Sequence, residues 1–364
     1  MTVRLRRGIV RSVGPERSGV RELSVDVDGQ KRPTIAYPDL TGPVAEGDTV
    51  ILNTTATDLG LGTGGWDFVV AVEGAATGEA ELAGRVMKAR YTPLQTAVAT
   101  VEETDPRTVT GTLGGMPVVA APLHSMIAAA AGGARVAGAE RIAYVMTDGA
   151  ALPGALSRLV PRLRDAGLVD AFVTTGQAFG GDLETVTIWS GLLAARNVAD
   201  ADVAIVADGP GNLGTDTMWG VSALGTGNAL NAAATLAGRP VAALRISFAD
   251  ERERHHGLSH HSTTILRHVA GPGVNVAVPV LTDDAERDAV WEALRGARLE
   301  ERHQLVEVDG APALAELERR GVEVDSMGRS PAADPAFFLA AGAAGILAAR
   351  MAAGSKTWER DARR

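Results

Sequence analysis

Five of the seven histidines, His255, His256, His260, His261 and His268, fall within fourteen residues, directly after an apolar run that reads as a β-strand. Imidazole ligates metals and moves protons near neutral pH, so this density marks a site. His256 and His260 lie four apart and share a face if the stretch is helical, which is the spacing of a two-histidine metal site. Gly257 breaks such a helix. If the helix begins at Ser259 instead, His260 and His261 sit in its first turn beside unpaired amides, an arrangement better suited to an anion. Metal ligation, anion or acid–base use, and plain packing of the rings all stay open at this point.

Other polar residues follow apolar runs in the same way. Residues 117–123 lead into His124-Ser125 and residues 142–147 into Asp148-Gly149. Residues 172–175 lead into a loop holding Gly180, Gly181, Asp182 and Glu184, and residues 203–207 into Asp208 and a loop holding Gly209, Gly211, Gly214 and Thr215. Residues 243–248 end in Asp250 and the histidines. The opposite ends carry ordinary turns such as Ala166-Gly167 and Ala237-Gly238. Ligands of open parallel sheets bind at the carboxyl ends of the strands. Asp148, Asp182, Thr215 and two or more of His255, His256, His260 and His261 are therefore expected to line one cavity.

Single motifs carry less weight. The glycines at 209, 211 and 214 would let amides approach a phosphate or carboxylate at a helix start, yet the stretch matches neither a Walker sequence nor Gly-x-Gly-x-x-Gly. Asp182 and Glu184 offer two carboxylates beside a helix start, where Asp182 serves equally as an N-cap. Lys88 and Arg90 supply cations to an anionic ligand, or are solvated charges on a connector. His124-Ser125 lacks the Gly-x-Ser-x-Gly elbow of a serine nucleophile.

The elements that must position these residues fall into two textures. Over residues 1–85 short β patterns alternate with turn signals, Asp28-Gly29 and Glu46-Gly47-Asp48 among them, as in a small β-barrel or sandwich. A polar, glycine-rich loop covers residues 53–65, and residues 77–81 read as the edge of this unit. Residues 86–116 form a connector. From 117 to 353, apolar runs begin near Arg141, Leu168, Ala201, Pro240, Val274 and His303, spaced by 27, 33, 39, 34 and 29 residues. Each spacing fits a strand, a crossover helix and its loops. The expectation is a three-layer, doubly wound α/β domain with a mostly parallel, Rossmann-like sheet. A helix is expected around Leu156 and Leu163, with Pro161 inside it as a kink. Further helices are expected after Asp182 and after Ser259, each residue acting as a cap. Residues 354–364 read as a polar tail.

Composition narrows the function. The 364 residues are 46% hydrophobic and 22% charged, with a net charge of −9. No Lys/Arg-rich tract is present to neutralise phosphates, which argues against nucleic acid and anionic membranes as partners. Without cysteine, any metal must use His, Asp or Glu. The amino terminus has no signal-peptide core, so a cytoplasmic protein is expected. Residues 336–349 are apolar but shorter than the roughly 20 residues that span a bilayer, and read as a buried or interface helix. The oligomeric state is open, a homodimer included.

Leu52-Asn53-Thr54-Thr55-Ala56, Leu61 to Gly65, Met87 to Gln95 with Lys88 and Arg90, Met146 to Pro153, Ala178 to Asp182, Gly209-Pro210-Gly211 with Gly214-Thr215, and Arg245 to Asp250 with Ser259-His260-His261 form an ordered set of segments. Together they resemble the prokaryotic family known as domain of unknown function 3866. The resemblance implies membership and no activity. It also implies histidine at the place of Gln177, so that position is not an obligatory ligand.

The leading expectation is a hydrolase or group-transfer enzyme acting on a small anionic, phosphate- or carboxylate-bearing substrate. Asp182 with His260 or His261 would move protons, and the loop over 209–215 would hold the anion, together with His124, Asp148, Gly149, Gly180, Gly181 and Glu184. A divalent metal, if used, would be ligated by Asp148, Asp182, His256 and His260. The competing expectation is a non-catalytic nucleotide- or metabolite-binding sensor. A nicotinamide oxidoreductase is weaker, because no glycine fingerprint occupies the first β–α turn.

Overall fold

The computed structural model describes residues 2–61, 64–75 and 84–362, with side chains through residue 354. The chain divides into two compact units, Met1–Val98 and Ala99–Arg364. The expected edge at 77–81 lies outside the described residues.

In the first unit five strands close into a barrel in the order β1-β2-β3-β5-β4. They are β1 (Leu5–Arg17), β2 (Val20–Val27), β3 (Gln30–Ala36), β4 (Thr49–Asn53) and β5 (Asp67–Val72). Only β3 and β5 pair in parallel. The short helices α1 (Pro38–Thr41) and α2 (Thr55–Asp58) flank β4, and β6 (Val86–Lys88) pairs with β7 (Thr96–Val98). Alternation fills the interior: Leu23, Val25 and Val27 of β2 point inward with Val50 and Leu52 of β4.

The second unit opens with α3 (Val101–Thr104) and carries an eight-stranded sheet in the order β11-β10-β9-β12-β8-β13-β16-β17. Its strands are β8 (Pro117–Ala120), β9 (Ile142–Thr147), β10 (Ala171–Thr174), β11 (Leu183–Glu184), β12 (Val203–Asp208), β13 (Arg239–Ala243), β16 (Asn275–Pro279) and β17 (Gln304–Val308). Every pair in it is parallel. Between β13 and β16 a small antiparallel pair, β14 (Ile246–Ser247) and β15 (Gly257–Leu258), folds back on itself.

A parallel sheet must be covered on both faces, and neighbouring residues of one strand serve opposite cores. Ile205 of β12 joins Ile127, Leu163, Leu317 and Phe337, which come from α4 (Ile127–Val136), α5 (Leu159–Asp165), α10 (Ala311–Arg319) and α11 (Pro335–Ala362). Val206 joins Leu192, Leu230, Leu266 and Leu294. These come from α6 (Ile188–Asn197), α7 (Gly225–Thr235), the π-turn Ile265–Val269 that continues α8 (His260–Thr264), and α9 (Asp284–Gly296).

The faces follow from direction. Crossovers that run from β8 through β9 to β10 carry α4 and α5 on one face. Those that run back through β12, β13, β16 and β17 carry α6 to α9 on the other, as right-handed connections require. The two directions part at β8 and β12, so the carboxyl ends of these neighbours open a crevice.

Four local expectations change. Helix α5 begins only at Leu159, which puts Pro161 in its first turn, where its missing N–H costs nothing and no kink follows. The cap of α6 is Thr187, whose side chain accepts from the Ser190 amide, and not Asp182. Helical backbone also continues through Ala362, into the stretch expected as a polar tail. The apolar part of α11 is longer than the sequence run indicated: Pro335–Gly354 is long and apolar enough to cross a membrane, but 72% of that window is buried inside the unit, as in a core helix.

Helices α4 and α11 meet through glycine. A Cβ at Gly345 would collide with the Ala130 carbonyl, and one at Gly133 with the Gly342 carbonyl. Backbone carbonyls cannot yield as a side chain can, so Gly345→Ala and Gly133→Ala should each destabilise the protein by about 1–3 kcal/mol. Urea denaturation checks this, and a change within experimental error would disprove the contact.

Candidate functional site

Just past the carboxyl end of β13 the chain turns back on itself. Ile246 pairs with Leu258 and Ser247 with Gly257, where Gly257 takes the left-handed φ of +67° that favours glycine. Ser259 then caps α8, its hydroxyl accepting from the His261 amide at 3.3 Å. This return brings His255, in the connection just before β15, onto His260 and His261, just after it. Ring centroids lie 5.1 Å (His255–His260), 4.7 Å (His255–His261) and 4.4 Å (His260–His261) apart. One ligand atom from each of the three lies within 4.8 Å of the others, a grouping able to hold a metal.

His256 is not in that group. Its ring packs edge-on against Phe248 and its Nδ1 lies 3.4 Å from the Asp250 carbonyl, so the expected His256–His260 pair does not form. The reason is local: residues 256–258 are extended rather than helical, so a spacing of four does not put two side chains on one face.

A buried arginine sets the electrostatics. Arg245 Nη1 lies 3.2 Å from His261 Nδ1. A guanidinium can only donate, so His261 Nδ1 accepts and the neutral ring carries its proton on Nε2. Arg245 also donates to Asp250 at 3.3 Å, and Arg252 grips the same carboxylate at 2.8 and 2.7 Å. Those hydrogen bonds from Arg252 hold the Asp250 carboxyl well below its usual range. Burial pushes Arg245 down to about 10. Burial first, then the charge of Arg245, lowers His255 and His261 to about 3. His260 is lowered by burial and by Arg254. The two rings brought to about 3 are therefore neutral at pH 7.

Four nitrogen atoms of this site are buried without a hydrogen-bond partner among the described residues: His260 Nε2, His261 Nε2, Arg245 Nε and Arg254 Nε. The loop that follows β12 reaches this place. A Cβ at Gly214 would stand 3.6 Å from the His261 ring, and Asp216 pairs with Arg254 at 2.5 Å. That loop runs on to Gly220 before any helical turn, so it is not the glycine cradle at a helix start that its spacing indicated.

The remaining sequence-selected residues are engaged elsewhere. Asp182 accepts from the Phe172 amide at 3.0 Å and pairs with Arg164 at 2.6 Å, on the far side of β10. Four strand spacings separate β10 from β13, about 19 Å, so Asp182 neither joins the histidines nor shares a metal with them. Glu184 accepts from Thr174 Oγ1 at 2.7 Å and from the Gly180 amide at 2.6 Å, which braces the Gly180-Gly181 turn. Asp148 accepts from the Gln177 amide at 2.8 Å. Thr215 bonds within its own loop, to Thr217 at 2.8 Å and to the Gly220 carbonyl at 3.0 Å. Lys88, which is buried, and Arg90, which is exposed, belong to the first unit.

A second polar knot occupies the crevice between β8 and β12. Asp208 accepts from Thr147 Oγ1 at 2.6 Å, the Gly149 amide at 3.0 Å and Asn212 at 3.0 Å, and burial raises its pKa. His124 Nδ1 lies 3.2 Å from both Tyr144 Oη and the Asp208 carbonyl, and its Nε2 lies 2.8 Å from Ser157 Oγ. Burial lowers His124 to about 4. Its partner is thus Ser157, a buried residue whose hydroxyl also accepts from the Leu159 and Val160 amides. Ser125 instead bonds Ser326 at 2.9 Å. The knot braces three loops.

Sequence reasoning missed Arg245, Arg254, Asp216 and Asp208 as participants. Arg245 had a signal: a charged residue inside an apolar run is rarely buried unless paired. Asp216 had none, since its partner is 38 residues away.

A family described as Protein of unknown function (DUF3866) matches residues 33–345. Nothing among the curated proteins and nothing among the solved structures matches the chain.

The depressed histidines make stability fall with acid. Unfolded imidazoles protonate near pH 6.5, while native His255 and His261 stay neutral down to about 3. Below pH 6.5 the unfolded state therefore binds more protons and gains. Each ring should contribute a slope of up to about 1.4 kcal/mol per pH unit between the two values. The double variant His255→Gln, His261→Gln should flatten the slope measured by urea denaturation between about pH 6 and 4. An unaltered slope would show that these rings titrate normally.

Proposed function

The chain belongs to the family described as Protein of unknown function (DUF3866), and we propose that it is a hydrolase or group-transfer enzyme. Its substrate is a small anionic, phosphate- or carboxylate-bearing molecule, bound where His255, His260 and His261 meet Arg245 and Arg254. The observation that carries this reading is the set of partnerless buried nitrogens. Arg245 Nε, Arg254 Nε and the protonated Nε2 of His261 are all donors, so the missing partner is an acceptor. Leaving buried donors unmade costs about 1–3 kcal/mol each, which an oxyanion would recover on binding.

Neutral rings grip an anion through N–H groups rather than charge, with the arginines supplying the attraction. His260 would move the proton. Its Nε2 has no partner, and a bound anion would raise its pKa back toward neutrality, where a general acid or base works best. The three-histidine grouping favours a divalent metal as a second reading. To ligate through Nε2, however, His261 would have to move its proton to Nδ1 and lose the hydrogen bond from Arg245. The anion is the better-supported ligand.

Millimolar phosphate or sulfate should raise the melting temperature, because it binds only the native state. The rise from sulfate should weaken as pH increases through neutrality, where His260 beside the bound anion gives up its proton, while His255 and His261, already neutral at pH 6, add no pH dependence of their own. His261→Ala should abolish it. With a panel of phosphate and carboxylate esters, His260→Ala should lower turnover by about 100-fold or more. Binding without turnover of any ester would leave the non-catalytic sensor. Stoichiometric metal in the purified protein, with no response to anions, would favour the metal site instead.

A further inference from the structure

The loop over residues 209–221 is bonded chiefly to itself. Thr215 N and Oγ1 both donate to the Gly220 carbonyl, at 2.9 and 3.0 Å. The Gly220 amide donates to Thr217 Oγ1 at 3.1 Å, Gly214 bridges to Val221, and the Ser222 amide donates to the Leu213 carbonyl at 2.9 Å. The tip is thus a preformed unit. Its links to the histidine segment are few: Gly214 lies against the His261 ring, Trp219 lies edge-on to His268 at 5.8 Å, and Asp216 pairs with Arg254. The pair is lopsided. Arg254 is partly buried and keeps Nε unpartnered, whereas the Asp216 side chain is 85% exposed. Leu213, Met218 and Trp219 on the same tip are exposed as well, at 74%, 47% and 59%, so apolar packing holds the tip only lightly.

We propose that Asp216 is an internal anion that occupies the Arg254 end of this site and is displaced by the substrate's own anionic group, so that the loop tip over 213–221 is released when substrate enters, while Asn212 and Pro210 keep the base of the loop fastened to Asp208 and Ala151. This rests on the anion-binding reading of the histidine–arginine site. The chemistry of the swap is an exchange of one oxyanion for another on a single guanidinium. Asp216 holds Arg254 by a single oxygen on Nη1, and a phosphate or sulfate drawn to the same guanidinium, with its Nε still unpartnered, crowds a second anion against that carboxylate, which solvent can take up instead. An ion pair with one exposed partner is weak enough for this exchange, and strong enough to bias the loop when no ligand is present. The device also selects: a neutral molecule has nothing to displace Asp216 with, so the resting loop favours charged ligands over uncharged analogues.

Two readouts on the full chain test it, with inorganic sulfate as the probe. In Asp216→Asn, hydrogen exchange of the amides in residues 213–220 should speed up by about twofold to fivefold, and half-maximal stabilisation by sulfate should occur at about twofold to fivefold lower concentration. Arg254→Gln should speed the same amides and remove the sulfate response. Asp216 is at the surface, so its variant keeps the fold. Unchanged exchange in Asp216→Asn would overturn the latch whether or not any anion binds. Faster exchange with unchanged sulfate affinity would show that Asp216 does not stand in the anion's place, and would overturn it equally. A wild-type protein and an Asp216→Asn variant that both ignore sulfate would remove the anion-binding reading itself, while the exchange rates still report whether the ion pair restrains the loop.

Discussion

A parallel sheet with apolar residues on both faces can be built only if helices cover both, and a right-handed crossover assigns each direction of travel to one face. Most of the second unit follows from that constraint. Because the chain leaves β8 toward β9 over one face and leaves β12 toward β13 over the other, the loops at the carboxyl ends separate there and can hold polar groups without disturbing either core. The His124–Asp208 knot fills this crevice directly. The histidine–arginine site lies beside it, past β13, within reach of the loop that crosses from β12.

Within that site one buried guanidinium organises its neighbours. Arg245 donates to Asp250 and to His261, and its charge, added to burial, keeps His255 and His261 neutral. A charge in such a place is tolerated only when paired, and Asp250 supplies the pairing even though it shares its carboxylate with Arg252. The same interaction fixes which nitrogen of His261 carries the proton, and so decides whether the ring offers a lone pair or an N–H. The difference between a metal ligand and an anion donor thus depends on a single hydrogen bond from a neighbouring side chain.

Several residues that looked chemical in the sequence are structural in the fold. Glycines at 149, 176 and 181 allow backbone or carboxylate to approach where any Cβ would collide, and Asp148, Asp182 and Glu184 spend their oxygens on loop amides or nearby side chains. Carboxylates at strand ends have two uses, catalysis and loop bracing, and residue type cannot distinguish them because both require acceptors beside exposed amides.

The β-rich first unit, the regular alternation of strands and helices after residue 117, and the concentration of polar residues at one edge of the sheet are all legible along the chain. Each of these is local or periodic: apolar runs at intervals of about thirty residues, turn residues after each run, and five histidines in one short segment. Which histidines meet, and which polar atoms are left without partners, is set by the folded chain. The β14–β15 return exchanges His256 for His255 in the cluster, and the arrival of Asp216 and Gly214 from the loop after β12 depends on strand order. Side-chain direction after a turn and the company of a distant loop are set by three-dimensional closure, and no spacing along the chain encodes them.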